Sequence, residues 1–256
     1  MFLKPTKTEL YNHFKAIADS VPETPVLLYN NPGRVGYTLS ADLVEELAHT
    51  VPNIVGMKDT SGDITQTSEF IRRTRNVDGC GMVGTETANP EYKFCPECRT
   101  DKALATFIRN LKPVVRCAEQ FCVIVAIEPV ARHIVYDAKR ARTGLDEIGS
   151  HNLQILFDPV NLLSMDNVDR RDEIVAEAIE LLGKDIAMIH FKDFVRQDSD
   201  GQLKAIGAGL GGMDYTQIFR FAKKEKPFIF GTLENTTPEN AESCRKFLQQ
   251  QYDSCE

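Results

Sequence analysis

The sequence of 256 residues lacks the features that mark membrane, secreted and nucleic-acid-binding proteins. No apolar run approaches the roughly 18–20 residues that span a bilayer. The first residues, MFLKPTKTEL, contain no apolar stretch followed by small residues, so no secretory signal is expected. The net charge is −7 and no basic run is present, which argues against nucleic acid as a partner. These absences predict a cytoplasmic protein that binds neither a membrane nor nucleic acid.

The cysteines give little indication of disulfides or of a zinc site. There are seven, an odd number, which favours thiols in a cytoplasmic protein. Two of them form CPEC at 95–98, a single C-x-x-C without a second pair, or a His pair, at zinc spacing. We therefore expect two thiols in a loop. The composition, 42% hydrophobic and 26% charged, is that of an ordinary globular protein.

Short apolar runs rich in Val, Ile and Leu recur along the chain, and each ends in a polar or acidic residue. Continuous apolar runs of this length are typical of strands buried on both faces, as in a parallel sheet. The seven runs are PVLLYN (25–30), NIVGMKD (53–59), GMVGTET (81–87), CVIVAIEP (122–129), LQILFDP (153–159), IAMIHFKD (186–193) and PFIFGTLEN (227–235).

Amphipathic segments lie between these runs and predict helices, for example at 39–51, 102–120 and 170–184. Ser40 is the expected N-cap of the first of these, and Thr6 and Glu9 form a capping box ahead of an earlier helix.

The alternation of strands and helices predicts βαβ units. The strand ends recur about every 30 residues, the spacing of a (β/α)8 barrel of about 250 residues. We therefore predict an α/β fold, a single TIM barrel over residues 1–256, with MFL at the N-terminus as a clipped eighth strand. An open doubly wound sheet is the alternative. It is disfavoured because such a sheet concentrates its site at one switch point, whereas polar residues end nearly every strand here.

Three segments within residues 2–75, namely FLKPTKTELYNHF, YNNPGRVG and NIVGMKDTSGD, resemble the dihydrodipicolinate synthase and N-acetylneuraminate lyase family of Schiff-base aldolases. The resemblance implies that Lys58 forms an imine with a keto acid and that Tyr29 relays a proton. A lysine at a buried strand end can lose its proton through desolvation, which agrees with this chemistry. The Gly-Thr-Thr carboxylate-binding motif of that family is absent, so both residues could be inherited scaffold.

Residues 79–252 resemble a different barrel family, the metal-dependent sugar isomerases and epimerases related to xylose isomerase. The matching segments are GTETANPEY, VAIEPV, LFDPVN, MIHFKDF and GTLEN. The resemblance implies a metal site with the ligands Glu128, Asp158, His190 and Glu234. Each of the four also ends a separate predicted strand, where barrel enzymes hold their catalytic residues. Three carboxylates and one imidazole suit Mn²⁺, Mg²⁺ or Co²⁺, with zinc as a further option.

This second resemblance implies proton transfer next to a carbonyl group, through an enediolate of a sugar or sugar phosphate. Two adjacent sugar oxygens would be held by the metal acting as a Lewis acid. Either Glu128 or Glu234 would remove the carbon-bound proton, and the other would return it. Return to the opposite face gives epimerisation, and return to the neighbouring carbon gives isomerisation.

Other residues near this site are secondary candidates. Lys192 and Asp193 follow His190 in the segment HFKDF, and we expect a substrate contact from the first and support of the metal ligands from the second. Asn161 occupies the place, three residues after the metal-binding aspartate, where many relatives carry a histidine. Glu86 ends the fourth predicted strand. Asn161 and Glu86 are therefore further candidates for substrate contacts.

The run IGAGLGGMDY contains G-x-G-x-x-G at Gly207, Gly209 and Gly212. No strand is predicted directly ahead of it and no acidic residue follows at the expected spacing, so a dinucleotide fingerprint is not indicated. The run resembles the glycine-rich loop of the epimerase family, which implies a flexible lid or an oxyanion contact. His133, in EPVARH, is predicted at the start of a helix with a structural role.

The two resemblances occupy complementary strands of one barrel. We therefore interpret the chain as a chimera, engineered or natural, of an aldolase-like fragment (1–78) and an isomerase/epimerase-like fragment (79–256). This hypothesis requires Lys58 and Glu128 to lie at the same end of the barrel. Three functions stay open: a metal-dependent isomerase or epimerase, a Schiff-base lyase acting on pyruvate-type keto acids through Lys58, and a scaffold with neither activity. A sugar or keto acid is the expected small-molecule partner, and a homo-oligomer is compatible with the sequence.

Overall fold

A computed structural model of the chain describes residues 4–74, 82–86, 95–197 and 202–255, with the backbone alone at 64, 82–86 and 202. These ranges contain nine strands: β1 (Val26–Asn30), β2 (Ile54–Asp59), β3 (Met82–Glu86), β4 (Ile124–Glu128), β5 (Leu153–Phe157), β6 (Ile186–Phe191), β7 (Asp193–Gln197), β8 (Gln202–Ile206) and β9 (Phe230–Leu233). Seven of them form one parallel sheet in chain order, from β1 to β6 and then β9. The other two, β7 and β8, form an antiparallel hairpin.

Nine α-helices lie within the same ranges: α1 (Lys7–Ser20), α2 (Pro32–Val35), α3 (Ala41–Thr50), α4 (Ile64–Arg73), α5 (Asp101–Gln120), α6 (Ala138–Ile148), α7 (Arg171–Leu182), α8 (Thr216–Glu225) and α9 (Ala241–Ser254). Apart from the single turn α2, each helix contacts the next one along the chain. In the described part of the chain, no helix is long and apolar enough to cross a bilayer.

The alternation of parallel strands with a ring of helices is a TIM-barrel fold, as predicted. In the described residues the sheet begins with β1 and ends with β9. The predicted closing strand, at residues 1–3, and the predicted junction, at 76–80, lie outside the described residues. The division into fragments at residue 78 therefore stays a prediction.

The ends of the first helices follow from their capping residues. Thr6 accepts a hydrogen bond from the Glu9 backbone N–H, and the Glu9 carboxylate accepts one from the Thr6 N–H at 2.7 Å, so the predicted capping box is present. The Ser40 hydroxyl caps α3 by accepting from the N–H of Leu43 at 3.3 Å. Removing such a cap typically costs about 1 kcal/mol. Leu43 and Leu47 lie on the buried face of α3, as their spacing predicts.

The centre of the sheet is apolar on both faces. In β4, the consecutive residues 125–127 are all fully buried, and in β5 so are residues 155–157, which covers both faces of each strand. Ile127 and Ile155 lie opposite each other in the parallel ladder. Burial of each such side chain contributes about 1.5–3 kcal/mol. The packing explains why these strands appear in the sequence as continuous apolar runs.

Two sequence-based predictions of local structure are wrong. The glycine-rich run was expected to have no strand ahead of it, but β8 ends at Ile206 and leads directly into Gly207. The β7–β8 hairpin is short and mixes polar with apolar residues, so it lacks the continuous apolar signal of the barrel strands. His133 does not begin a helix: it lies in a turn, and α6 begins at Ala138 after its N-cap Asp137.

Candidate metal centre

The carboxyl ends of four strands bring the four predicted ligands together. Glu128 ends β4, Asp158 follows β5, His190 lies next to the end of β6, and Glu234 follows β9. Parallel strands all end at the same edge of the sheet, so their terminal side chains meet there. One ligand atom from each residue lies within 4.8 Å of the other three. The Glu234 N–H donates to the carbonyl of Phe191 at 3.0 Å, which anchors it beside β6.

The imidazole of His190 lies among the three carboxylates. Its Nδ1 is 3.0 Å from Glu234 Oε1, 3.4 Å from Glu128 Oε1 and 3.8 Å from Asp158 Oδ2. Glu128, Asp158 and His190 are buried, whereas 26% of the Glu234 side chain is exposed. Glu234 is therefore the member of the cluster that reaches the opening of the site.

Two lysines supply positive charge to the cluster. Lys58 Nζ lies 2.8 Å from Glu128 Oε2 and 3.4 Å from Glu234 Oε1. Lys192 Nζ lies 2.7 Å from Asp158 Oδ2 and 3.1 Å from Glu234 Oε2. Lys58 comes from the aldolase-like fragment, so its contact with Glu128 places the two residues at the same end of the barrel. The condition that the chimera hypothesis sets is met.

The charges of the cluster shift the pKa of two of its members in opposite directions. Burial alone would raise the pKa of Glu128, but the contact with His190 and the charge of Lys58 outweigh it and hold that pKa at about 2. Burial alone would lower the pKa of His190, but its contacts with Glu128 and Glu234 outweigh it and raise that pKa to about 9. The carboxylate is thus ionised and, without a metal, the imidazole is protonated at neutral pH.

The pKa values of Asp158 and Lys192 are also raised, each by a different cause. Burial, together with the nearby charges of Glu128 and Glu234, raises the pKa of Asp158, and Lys192 offsets this only in part. The pKa of Lys192 is raised despite its burial, because Asp158 and Glu234 stabilise the ammonium. A buried carboxyl group whose ionised form is disfavoured by other carboxylates is stabilised by an added cation.

The residues present fit a divalent cation. Glu128 Oε2, Asp158 Oδ2 and His190 Nδ1 are buried and make no hydrogen bond within the described residues, although charged neighbours lie close to each of them. A set of three carboxylates and one imidazole is suited to Mn²⁺, Mg²⁺, Co²⁺ or Zn²⁺. The four predicted residues are therefore the ones that would hold the metal.

Asn161 supports two of these residues. Its Nδ2 donates to Glu128 Oε1 at 2.8 Å, and its backbone N–H donates to Asp158 Oδ1 at 3.1 Å. The first contact could not be predicted from the sequence, because Glu128 ends β4 whereas Asn161 follows β5. The side chain of Glu86 lies outside the described parts of the chain. Substrate contacts by Asn161, Lys192 and Glu86 stay predictions.

Contrary to the prediction, the hydrogen bonds of Asp193 within the described residues are to the backbone and not to the metal ligands. Asp193 is buried, and its carboxylate accepts hydrogen bonds from four backbone N–H groups, those of Phe194, Gly209, Gly211 and Met213, at 2.8–3.1 Å. The glycine-rich run therefore wraps around this carboxylate. The N–H groups of Gly209, Gly211 and Met213 donate to Asp193, so these three do not make the expected oxyanion contact. A flexible lid stays a prediction.

Tyr29 lies beside Lys58 in the neighbouring strand. The two residues are paired in the ladder, and Lys58 Nζ is 5.4 Å from the centroid of the Tyr29 ring. Tyr29 is 47% exposed, and its hydroxyl accepts a hydrogen bond from Asn31 Nδ2 at 2.8 Å. A proton-relay role for Tyr29 stays a prediction.

Comparison with known families agrees with the fold and with both resemblances. Residues 56–250, well over half of the chain, match the xylose isomerase-like TIM barrel family. The chain belongs to this family. Residues 1–80 also match the dihydrodipicolinate synthetase family. The two matches overlap at 56–80, a range that contains most of β2 and Lys58.

Curated relatives match the N-terminal segment. The 4-hydroxy-tetrahydrodipicolinate synthase of Methanoculleus marisnigri is 52% identical over 83 residues, 32% of this chain and 28% of that enzyme. The corresponding enzyme of Acaryochloris marina is 51% identical over 71 residues, 28% of this chain and 24% of that enzyme. The chain thus spans about a quarter of the length of these relatives.

Solved structures of sugar epimerases and their relatives match nearly the whole chain. An L-ribulose 3-epimerase superposes with a TM-score of 0.69 at 15% identity, over 98% of this chain and 91% of the other. A xylose isomerase-like TIM barrel protein from Mycobacterium smegmatis in complex with magnesium gives 0.68 at 12% identity, over 99% and 91%. The IOLI protein with a bound zinc atom gives 0.54 at 14% identity, over 94% and 90%. At these identities the likeness establishes the fold.

Proposed function

We propose that the chain binds a divalent cation and catalyses proton transfer next to the carbonyl group of a small sugar or sugar phosphate, as an isomerase or epimerase. The observation that carries the proposal is the convergence of ligand atoms from four strand ends within 4.8 Å of one another. Membership of the xylose isomerase-like family supports it. The residues that would hold the metal are Glu128, Asp158, His190 and Glu234.

A bound cation would supply Lewis-acid polarisation of the sugar oxygens. A substrate that enters the site meets Glu234 first, because Glu128 is buried behind it. The pKa values of both carboxyl groups are lowered: burial opposes this, but His190 and the neighbouring lysines outweigh it. Each carboxylate is therefore in the form that accepts a proton. The carboxylate that accepts the proton from carbon is thereby protonated and can return that proton to the neighbouring carbon. Return to the opposite face requires that the other carboxylate first take up a proton from solvent.

Calorimetric titration with Mn²⁺ or Co²⁺ tests the metal centre. We expect binding by the purified chain and its loss in His190→Ala, with circular dichroism confirming that the variant is folded. Proton transfer is then tested with ketoses and ketose phosphates in D₂O, where exchange of a carbon-bound proton is followed by NMR. A well-folded chain that binds no metal would contradict the proposal.

A second candidate function is a Schiff-base lyase that acts on pyruvate-type keto acids through Lys58. The roughly 50% identity of the N-terminal segment to 4-hydroxy-tetrahydrodipicolinate synthases supports it. The contacts of Lys58 with Glu128 and Glu234 argue against it, because carboxylates stabilise the ammonium form, which is not a nucleophile. Borohydride reduction in the presence of pyruvate would leave a mass-detectable adduct on Lys58 if the imine forms. If the chain showed neither metal binding nor an adduct, it would be a scaffold without either activity.

A further inference from the structure

Lys58 occupies part of the space in which a cation is expected. Its Nζ lies 2.8 Å from Glu128 Oε2 and 3.4 Å from Glu234 Oε1, and both residues are among the four metal-ligand candidates. An ammonium and a divalent cation are both attracted to carboxylate oxygens. The same two carboxylates therefore face two alternative cations, one of which belongs to the chain itself.

Lys58 differs from Lys192, the other lysine of the cluster. Lys192 contacts Asp158 and Glu234 and has a side chain that is 6% exposed. Lys58 contacts Glu128 and Glu234, and its side chain is 13% exposed. Its Nζ also lies within cation–π range of the Tyr29 ring, at 5.4 Å from the centroid. Because that ring is half-exposed, the ammonium has a stabilising surface next to it when it leaves the carboxylates.

We propose that Lys58 is a tethered cation that competes with the divalent metal for Glu128 and Glu234, so that metal binding displaces its ammonium towards Tyr29. The displacement moves the side chain and leaves its charge unchanged. In the metal-free protein, Lys58 pairs with the buried carboxylate of Glu128 at 2.8 Å. This inference rests on the proposed metal centre and adds that a residue from the aldolase-like segment sets the affinity of that centre.

The test is calorimetric titration with Mn²⁺ of the full chain and of three Lys58 variants. Lys58→Met removes the charge at similar size, and Lys58→Gln removes it but keeps a hydrogen-bond donor. Lys58→Arg is the matched control, because it keeps the charge. We expect Mn²⁺ to bind at least tenfold more tightly to the two neutral variants, and within about threefold of the parent affinity to Lys58→Arg.

A second readout covers the case in which a neutral variant is poorly folded without metal. The midpoint of thermal unfolding is measured with chelator and with Mn²⁺. In chelator, Lys58→Met and Lys58→Gln should unfold at a lower temperature than the parent chain. The addition of Mn²⁺ should raise their unfolding midpoints by more than it raises the midpoint of the parent chain.

The outcomes separate this inference from the proposed function. Tighter Mn²⁺ binding in both neutral variants than in the parent chain supports the competition. Equal binding in the parent and the neutral variants overturns the competition but leaves the metal centre intact. An absence of binding in every folded variant overturns both.

Discussion

At the scale of single residues, the same kind of ion pair has different consequences at the centre of the barrel and on its surface. Lys192 is buried and lies within 3.1 Å of two carboxylates of the cluster, Asp158 and Glu234. Lys139 pairs with Glu177 at 2.8 Å, but its side chain is 71% exposed. Water and salt screen the exposed pair, whereas the negative charge of the buried carboxylates is compensated by the lysine.

Replacement of Lys192 by Met should therefore strongly destabilise the metal-free protein. Removing one partner of a buried ion pair leaves an uncompensated charge and typically costs about 3–5 kcal/mol. The free energy of unfolding, measured by urea titration in chelator, should fall by about that amount in Lys192→Met. Lys139→Met is the matched control and should change it little. Similar losses in both variants would mean that burial of the Lys192 ion pair does not increase its contribution to stability.

His133 should make the stability depend on pH. Burial lowers its pKa to about 4, although the charge of Glu128 opposes this, and its pKa in the unfolded chain is about 6.5. Between these values the unfolded state binds a proton that the folded state does not. Above about pH 6.5, His133 therefore does not change the free energy of unfolding. As the pH falls towards 4, it lowers that free energy by about 3 kcal/mol at most.

Chemical unfolding of the parent chain and of His133→Asn between pH 7.5 and 4 measures this effect. The difference in unfolding free energy between the two chains should shift in favour of the variant as the pH falls. A difference that stays constant over this range would show that His133 does not carry the pH dependence.

The sequence predicted which residues meet at the site but not how they contact one another. Glu128, Asp158, His190 and Glu234 could be found because each ends a strand, and strand ends meet in a barrel. The contact between Lys58 and Glu128 depends on the register of intervening strands and on side-chain rotamers, neither of which a strand-end pattern specifies.

At the scale of elements, the glycine-rich run is held by a single carboxylate. Asp193 accepts three hydrogen bonds from the run, at Gly209, Gly211 and Met213, and a fourth from Phe194. A Cβ at Gly211 would collide with the Phe194 carbonyl, so the run approaches β7 as closely as glycine permits. The run is thus hydrogen-bonded to and packed against the start of β7.

Asp193→Asn should loosen this element. The amide keeps one acceptor oxygen and presents N–H groups to backbone donors, so several charge-assisted hydrogen bonds are lost, at a cost of about 3 kcal/mol. Hydrogen exchange measured by mass spectrometry should accelerate across residues 207–213. Asp214→Asn is the control, because Asp214 accepts from one N–H, that of Thr216, outside this loop. Unchanged exchange at 207–213 in Asp193→Asn would contradict the assigned role.

The long elements could be predicted from the sequence, and the hairpin could not. Apolar runs such as Leu153–Phe157 match the strands because both faces of the sheet are buried. Strand β7, Asp193–Gln197, buries its first two residues and exposes the rest, so neither a continuous nor an alternating pattern appears. The hydrogen bonds between Asp193 and the glycine-rich run could not be predicted, because Asp193 lies 16 residues before Gly209.

At the scale of the whole molecule, the two segments are joined by contacts on both sides of the sheet. Strand β2 pairs with β3 in parallel, and α4 packs against α5. The Lys58–Glu128 ion pair connects them inside the barrel. The periodic strand spacing predicted this fold, but the fit between segments that resemble different families depends on packing that neither set of motifs specifies.

These contacts predict that the chain unfolds as one cooperative unit despite its two resemblances. Phe70 in α4 and Phe157 in β5 are both 1% exposed, one on each side of the predicted boundary. Replacing either by Ala should cost about 3–5 kcal/mol. Because the core is shared, each variant should lower the unfolding midpoint of both segments equally.

The absence of tryptophan allows each segment to be followed separately. Single reporters, Tyr11→Trp in the aldolase-like segment and Tyr252→Trp near the C-terminus, give fluorescence signals from one segment at a time. Each substitution, Phe70→Ala or Phe157→Ala, should shift the urea midpoint by the same amount whether it is read at position 11 or at position 252. If Phe70→Ala shifted the midpoint at position 11 but left that at position 252 unchanged, the segments would be separate folding units. The centre between Lys58 and Glu128 would then join two independently unfolding parts.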